Sequence, residues 1–280
     1  MMNFSNQNML ILTDFSDVAL NAAMYAAALS RELNVPNILL YYSDYIPSTI
    51  DVPLQNAIRQ EHEWKKNEER LRGMKSKLEL LTNGQTNVNI RIDERPLDLA
   101  VNELGKTESI GLVVMGIKGK SRLEQTLIGS NTIRIARICH IPLLIVPEEA
   151  IFTGISKVVF AAELKKVADT IPDQTINNFI QAIKAKLLVL NVDKYEEHRF
   201  NPETKAEEAS LRSRFGEEAS YHYSEEGDVA RGITRFAEEH QVDLIIAVPK
   251  EHGFFESLFH RSLTRKMAYH THIPLLLIKT

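Results

Sequence analysis

Gly116, Gly119, Gly129 and Ser130 fall in the spacing G-x2-G-x9-G-S, directly after the apolar run 112–115. Glycine allows positive φ and lets a backbone approach a bulky anion with no Cβ in the way. Parallel sheets gather ligands at the carboxyl ends of their strands, and a helix opened by Ser130 and Asn131 turns free N–H groups and a positive dipole end toward an anion. Residues in this order suit a diphosphate or triphosphate chain. Asp14 closes the first apolar run, 9–12, and is followed by Phe15 and Ser16. A carboxylate so placed accepts hydrogen bonds from a ribose hydroxyl or an adenine amino group; its plainer role is to cap the following helix. Coincidence with the glycine pattern favours the nucleotide contact.

Lys118, Lys120 and Arg122 lie inside the same pattern. They supply charge to a phosphate or are solvated loop residues, and the sequence favours neither. Phosphoryl transfer also needs a group that positions the nucleophile. No residue stands out for that task, and the pattern GxxxxGK[ST] is absent. The loop reads as a binding site first and a slow ATPase second.

Such residues need strands whose carboxyl ends share one edge. Apolar runs at 9–12, 38–42, 88–92, 111–115 and 143–146 alternate with helical stretches, the order of a parallel sheet covered on both faces. Ser16 is the expected N-cap of an alanine-rich helix beginning at Asp17. Over 53–81 the chain is heavily charged, yet Ile58, Trp64, Leu71, Met74, Leu78 and Leu81 recur near helical spacing, the pattern of a solvated amphipathic helix. Residues 43–53 form a loop long enough to fold over a ligand or simply to connect. A further helix is expected over 96–106.

Segment 112–146 recurs without a gap at 244–278; both copies open on an apolar strand and close on His-Ile-Pro and a second apolar strand. The second half has strands expected at 158–161, 187–191, 219–223, 243–248 and 275–278. Helices are expected at 172–184, 202–215, 228–240 and 262–270, with Pro172 and Pro202 suited to first-turn positions. Two related domains follow, 1–147 and 155–280, and the short linker favours close packing. In the second copy Val248, Glu251 and Arg261 replace the three glycines, and matching the opening strands puts Ala162 in the place of Asp14. Side chains at backbone-approach positions crowd a phosphate and Glu251 repels it, so only the first domain is expected to bind a nucleotide. The alternative is that Lys250, His252, His260, Arg261 and Ser262 hold another anion.

His252, His260, His270 and His272 lack the close Cys/His spacing of a zinc site, and no metal site is expected. His140 and His272 stand at equivalent places before Ile-Pro, which favours a structural role. The single cysteine, Cys139, reads as a small core residue. A formal net charge of -4 over 280 residues, with no long basic run, argues against nucleic acid or an anionic membrane as the main partner. Apolar runs are only strand-length and the first residues carry no leader pattern, so a cytoplasmic location is expected.

Thr13-Asp14-Phe15-Ser16 is similar to T-D-x-S and Val114-Met115-Gly116 to V-M-G; with the glycine pattern, they resemble the motifs of nucleotide-binding universal stress proteins. The likeness covers essentially the whole chain, one unit per half. It implies two α/β units of the Rossmann-like, adenine nucleotide alpha hydrolase-like type, each a five-stranded parallel sheet with helices on both faces. It also implies ATP or a related adenine nucleotide, with Mg2+ as a candidate companion, held by Thr13, Asp14, Met115, Gly116, Lys118, Gly119, Gly129, Ser130 and Asn131. Asp14 would take the adenosine end, and the glycine loop with Ser130 the phosphates. Gly111 departs from relatives that carry aspartate before the fourth strand. Single-domain members commonly dimerise through their last strands. The resemblance therefore implies antiparallel pairing of 143–146 with 275–278 inside one chain, where each would otherwise be an aggregation-prone edge. A signalling module that reads nucleotide occupancy is the leading function. A slow ATPase and a nucleotide-independent, chaperone-like stress protein are the alternatives, and a homodimer of tandem chains stays open.

Overall fold

The computed structural model describes residues 4–45, 55–118, 130–193, 201–249 and 272–280. The first unit runs β1 (Asn8–Leu12), α1 (Asp17–Glu32), β2 (Asn37–Ser43), α2 (Gln55–Thr82), β3 (Asn87–Asp93), α3 (Leu97–Thr107), β4 (Ile110–Ile117), α4 (Ser130–Ile138) and β5 (Leu143–Pro147). The second runs β6 (Lys157–Ala161), α5 (Val167–Thr170), α6 (Asp173–Ile183), β7 (Lys186–Asp193), α7 (Pro202–Phe215), β8 (Ser220–Glu225), α8 (Val229–Glu239), β9 (Leu244–Ala247) and β10 (Leu275–Leu277). The expected helix over 262–270 lies outside the described residues.

All ten strands join one sheet in the order β3-β2-β1-β4-β5-β10-β9-β6-β7-β8. Neighbours within each unit are parallel. The exception is the central pair, β5 and β10, which run antiparallel with Leu275 opposite Ile145 and Leu276 opposite Leu144. Within each unit the chain first builds outward on one side of its opening strand and then crosses to the other. This leaves a topological switch point between β1 and β4, and another between β6 and β9.

Strand residues alternate between two buried layers. Leu144 and Val146 of β5 pack with Ala22 and Leu29 of α1 and with Ile176 and Phe179 of α6 in one core that spans both units. Leu143 and Ile145 face the other way, among residues of α3, α4 and α8. The 3-10 turn Phe4–Asn6 before β1 sets Phe4 edge-on to Phe179, with ring centroids 5.6 Å apart. The linker lies against α1: Asn21 donates from Nδ2 to the carbonyls of Pro147 at 3.1 Å and Ala150 at 2.9 Å, and Tyr25 packs edge-on to Phe152.

Local chemistry explains the helix boundaries. Ser16 caps α1, its Oγ accepting from the Ala19 N–H at 3.2 Å. Buried Ala22, Ala23, Ala26 and Ala27 keep that helix close to the sheet. In α2, Leu71, Met74 and Leu78 are buried, while Glu61–Lys65 and Lys75–Glu79 pairs line the wet side.

The second unit departs at α1's counterpart. The ladders place Leu12 opposite Tyr41 and Ala161 opposite Leu190, so the two crossovers have equal length and Pro172 falls where Ala23 stands inside α1. Proline lacks the N–H that a helix interior needs and clashes with the preceding turn. The expected single helix is therefore preceded by the short α5, and Pro172 occupies the N-cap of α6 rather than its first turn. Pro202 does open the first turn of α7. Among the described residues no helix is long and apolar enough to cross a membrane.

Candidate functional site

The first unit's switch point brings together the ends of β1 and β4, which pair in parallel with Ile11 opposite Val114. At the β1 end the chain turns sharply. Thr13 is buried and donates its hydroxyl to Met74 Sδ at 3.6 Å, while its Oγ1 accepts the Phe15 N–H at 3.0 Å. Its side chain is thus built into the turn. Asp14 is exposed. Its Oδ1 accepts the Ser16 N–H at 2.9 Å and the Ser16 hydroxyl at 2.6 Å. The helix cap itself belongs to Ser16, and Asp14 holds Ser16 in place. That arrangement occupies one carboxylate oxygen and leaves Oδ2 of this exposed residue with no hydrogen bond among the described residues.

At the β4 end the expected strand limit moves. β4 runs through Ile117, so Gly116 lies inside the strand, opposite Val146. Its φ is not positive. A Cβ on Gly116 would stand 2.6 Å from the Val18 carbonyl oxygen and 2.9 Å from Val18 Cγ1. The glycine lets the first turn of α1 lie against β4, which the phosphate reading did not foresee. Met115 points into the core beside α3 and α4 and is buried, leaving only its backbone toward the edge. Lys118 is exposed just beyond the strand. Ser130 opens α4, and the exposed Asn131 accepts from Arg134 Nη2 at 3.3 Å. Gly119, Lys120, Arg122 and Gly129 lie outside the described residues.

A cluster that sequence reasoning missed flanks Asp14. Phe15 packs against Tyr42 with ring centroids 4.5 Å apart, and the Arg70 guanidinium carbon sits 4.1 Å from the Phe15 centroid. Tyr42 donates to Asp44 Oδ1 at 3.3 Å, and the buried Asn67 reaches the same oxygen at 3.5 Å. Burial, aided by the Asp44 and Asp14 carboxylates, pushes the Tyr42 phenol up, against the opposing charge of Arg70. Only the aromatic next to Asp14 was a local signal; the partners come from distant segments. Farther along the edge, the buried Tyr41 donates to Asp93 Oδ1 at 2.6 Å. Burial opposes ionisation of Asp93, yet its hydrogen bonds from Arg95 and Tyr41 outweigh that and hold the carboxyl below the usual range.

The second unit corrects one residue match. Val158 pairs with Leu244 as Met9 pairs with Leu112, and the Ala162 N–H donates to the Leu190 carbonyl as the Thr13 N–H does to Tyr41. Ala162 therefore stands in the place of Thr13, and Glu163 in the place of Asp14. A carboxylate persists at this strand end, 3.8 Å from Lys165. The helix that follows is closed differently. Lys166, at φ 49, has no side-chain cap, and Glu207 of α7 accepts the Lys166 N–H at 2.9 Å and the Val167 N–H at 2.8 Å. Val248, in the place of Gly116, is buried. Lys250, Glu251, His252, His260, Arg261, Ser262 and His270 lie outside the described residues; His140 and His272 are both exposed. Cys139 is buried, and burial pushes its thiol up.

The model of the universal stress protein family matches residues 5–147 and 190–279 of this chain. A universal stress protein of Methanocaldococcus jannaschii is 27% identical over 140 residues, covering 50% of this chain and 81% of that protein. A universal stress protein crystal structure from Archaeoglobus fulgidus superposes with a TM-score of 0.73 at 17% identity, covering 100% of this chain and 98% of that one. A putative universal stress protein from Pseudomonas aeruginosa gives a TM-score of 0.59 at 11% identity, over 98% and 93% of the two chains. At these identities the structural likeness speaks to the fold: two repeated α/β units.

Proposed function

The chain belongs to the universal stress protein family, and from that premise we propose that it binds one adenine nucleotide, ATP or a close relative, at the carboxyl edge of its first unit. The observation that carries this reading is the exposed Asp14 beside the β1–β4 switch point, with one carboxylate oxygen fixed by Ser16 and no hydrogen bond to the other among the described residues. The free oxygen suits a ribose hydroxyl or an adenine amino group. Phosphates would extend toward Gly119, Gly129 and the α4 N-terminus at Ser130 and Asn131, where Lys118 adds charge and an Mg2+ ion would travel with them.

The second unit, 155–280, serves the first, 1–147, as a structural partner. Val248 in the place of Gly116 and Glu207 on the Lys166 and Val167 N–H groups both argue against a second nucleotide there. Nucleotide occupancy would be read out as a signal in the cytoplasm.

Calorimetry of the full chain with ATP tests the reading. A stoichiometry near one is expected, and Gly119→Glu should abolish the heat. Asp14→Ala should weaken ATP by about 1.5–3 kcal/mol, the scale of a lost charge-assisted hydrogen bond, with inorganic triphosphate nearly unaffected. Two equivalent sites, or full binding by Gly119→Glu, would sink the assignment.

A further inference from the structure

The turn that carries Asp14 also holds an aromatic residue in an uncommon conformation. Phe15 has φ 65, a region that bulky residues occupy only when their surroundings hold them there. One such hold is the hydrogen bond from its N–H to Thr13 Oγ1; another is the tilted contact with Tyr42; a third is Arg70, whose guanidinium lies over the ring at 4.1 Å. α2 delivers Arg70 from a fixed position, because Asn67 and Leu71 on either side of it are buried. Arg70 itself is exposed. It pairs with no carboxylate among the described residues, although it acts on the same phenol, Tyr42, as Asp14 and Asp44 do. An arginine parked on an aromatic ring, beside carboxylates it does not pair with, keeps its planar group free for another planar partner.

Direction across the sheet gives that partner its identity. Phosphates at the β4–α4 end and a ribose at Asp14 on β1 define a line running from β4 across β1, and the next strand on that line is β2. Phe15, Tyr42 and Arg70 stand where that line continues past Asp14. We infer that Arg70, backed by Phe15, is the stacking platform for the nucleotide's base, its outer face covering a planar heterocycle, and that this platform favours purines because their π surface is larger. The inference rests on the nucleotide reading above, to which it adds a base subsite and a residue from α2.

Titration of the full chain with ATP, CTP and inorganic triphosphate tests it, using wild type, Arg70→Ala and Arg70→Lys. Arg70 is exposed, so neither substitution empties the core, and Arg70→Lys keeps a cation over the Phe15 ring. Wild type should prefer ATP to CTP. Both variants should lose ATP affinity by about 10-fold, the order of one lost base-stacking contact, with triphosphate binding unchanged and the ATP preference reduced. Retention by Arg70→Lys of wild-type ATP affinity would reveal a point charge rather than a stacking plane and overturn the platform. Parallel loss of ATP and triphosphate would make Arg70 a phosphate ligand and overturn it equally, as would unaltered ATP binding by Arg70→Ala. If wild type bound no nucleotide at all, the functional reading itself would fall.

Discussion

Two glycines show how far a residue type can be read without its neighbours. Gly116 belongs to a spacing that suits phosphate, yet the structure assigns it a task that needs no ligand: without it the Val18 carbonyl at the start of α1 could not lie against β4. Gly111 stands in the strand position held by Asp243 in the second unit, where the carboxylate accepts from the Ser156 N–H, the Ser156 hydroxyl and the Lys157 N–H. In the first unit the side chain of Gln7 fills that space, and a Cβ on Gly111 would meet its Oε1 at 2.6 Å. Gly116→Ala should therefore lower stability by about 1–3 kcal/mol, the usual range for overpacking, because its neighbour is backbone rather than a side chain that can swing away. Urea denaturation without nucleotide reads this directly, and an unchanged midpoint would mean that α1 does not pack as closely as described. The place of Asp14 at the end of β1 was legible because it follows a short apolar run, whereas Gly119 and Gly129 lie outside the described residues. The Phe15, Tyr42 and Arg70 contacts were not, since three segments meet only after the sheet and α2 are in place.

Strands and long helices were the most legible elements, because continuous apolar runs and helical spacing are written locally. Their ends were less so. Thr13 marks the end of β1 with a polar residue, whereas Ala162 prolongs the apolar run of β6 by one small residue, so the position of Glu163 had to come from the strand ladder. The split of α1's counterpart into α5 and α6 follows from Pro172, whose effect was expected at a helix start and not within a crossover. The start of the counterpart is closed differently too: Lys166 and Val167 stand where Asp17 and Val18 open α1, Lys165 replaces the capping Ser16, and Glu207 supplies the acceptors for two of the N–H groups that a helix start leaves without partners. Glu207→Ala should cost about 1 kcal/mol, the magnitude of a lost helix cap, seen as a lower urea midpoint. Stability equal to wild type would show that water serves these N–H groups as well.

The ten-stranded sheet joins its halves through a short seam: β5 and β10 share three rungs, Leu275 with Ile145, Leu276 with Leu144 and Leu277 with Leu143. So few backbone hydrogen bonds contribute little net stability by themselves. The strength of the seam must come from its apolar faces, Leu144 and Leu276 in the core shared with α1 and α6, and Leu143, Ile145, Leu275 and Leu277 in the opposite core. Both cores cross the seam, and this is why a unit that has lost its glycines still matters to one that keeps them. Separating the units would expose two apolar edge strands together with the layer each one supports. Leu144 is fully buried, so Leu144→Lys in the full chain should place an unpaired charge at the centre of the seam and destabilise it by about 3–5 kcal/mol. Leu144→Ala removes packing without adding a charge and should cost about 2–4 kcal/mol, which separates loss of contact from charge burial. Residues 1–147 alone should self-associate, since the open β5 edge would find another copy of itself. Sedimentation of that fragment as a stable monomer, together with a tolerant Leu144→Lys chain, would show that each unit closes its own core and that the seam is incidental.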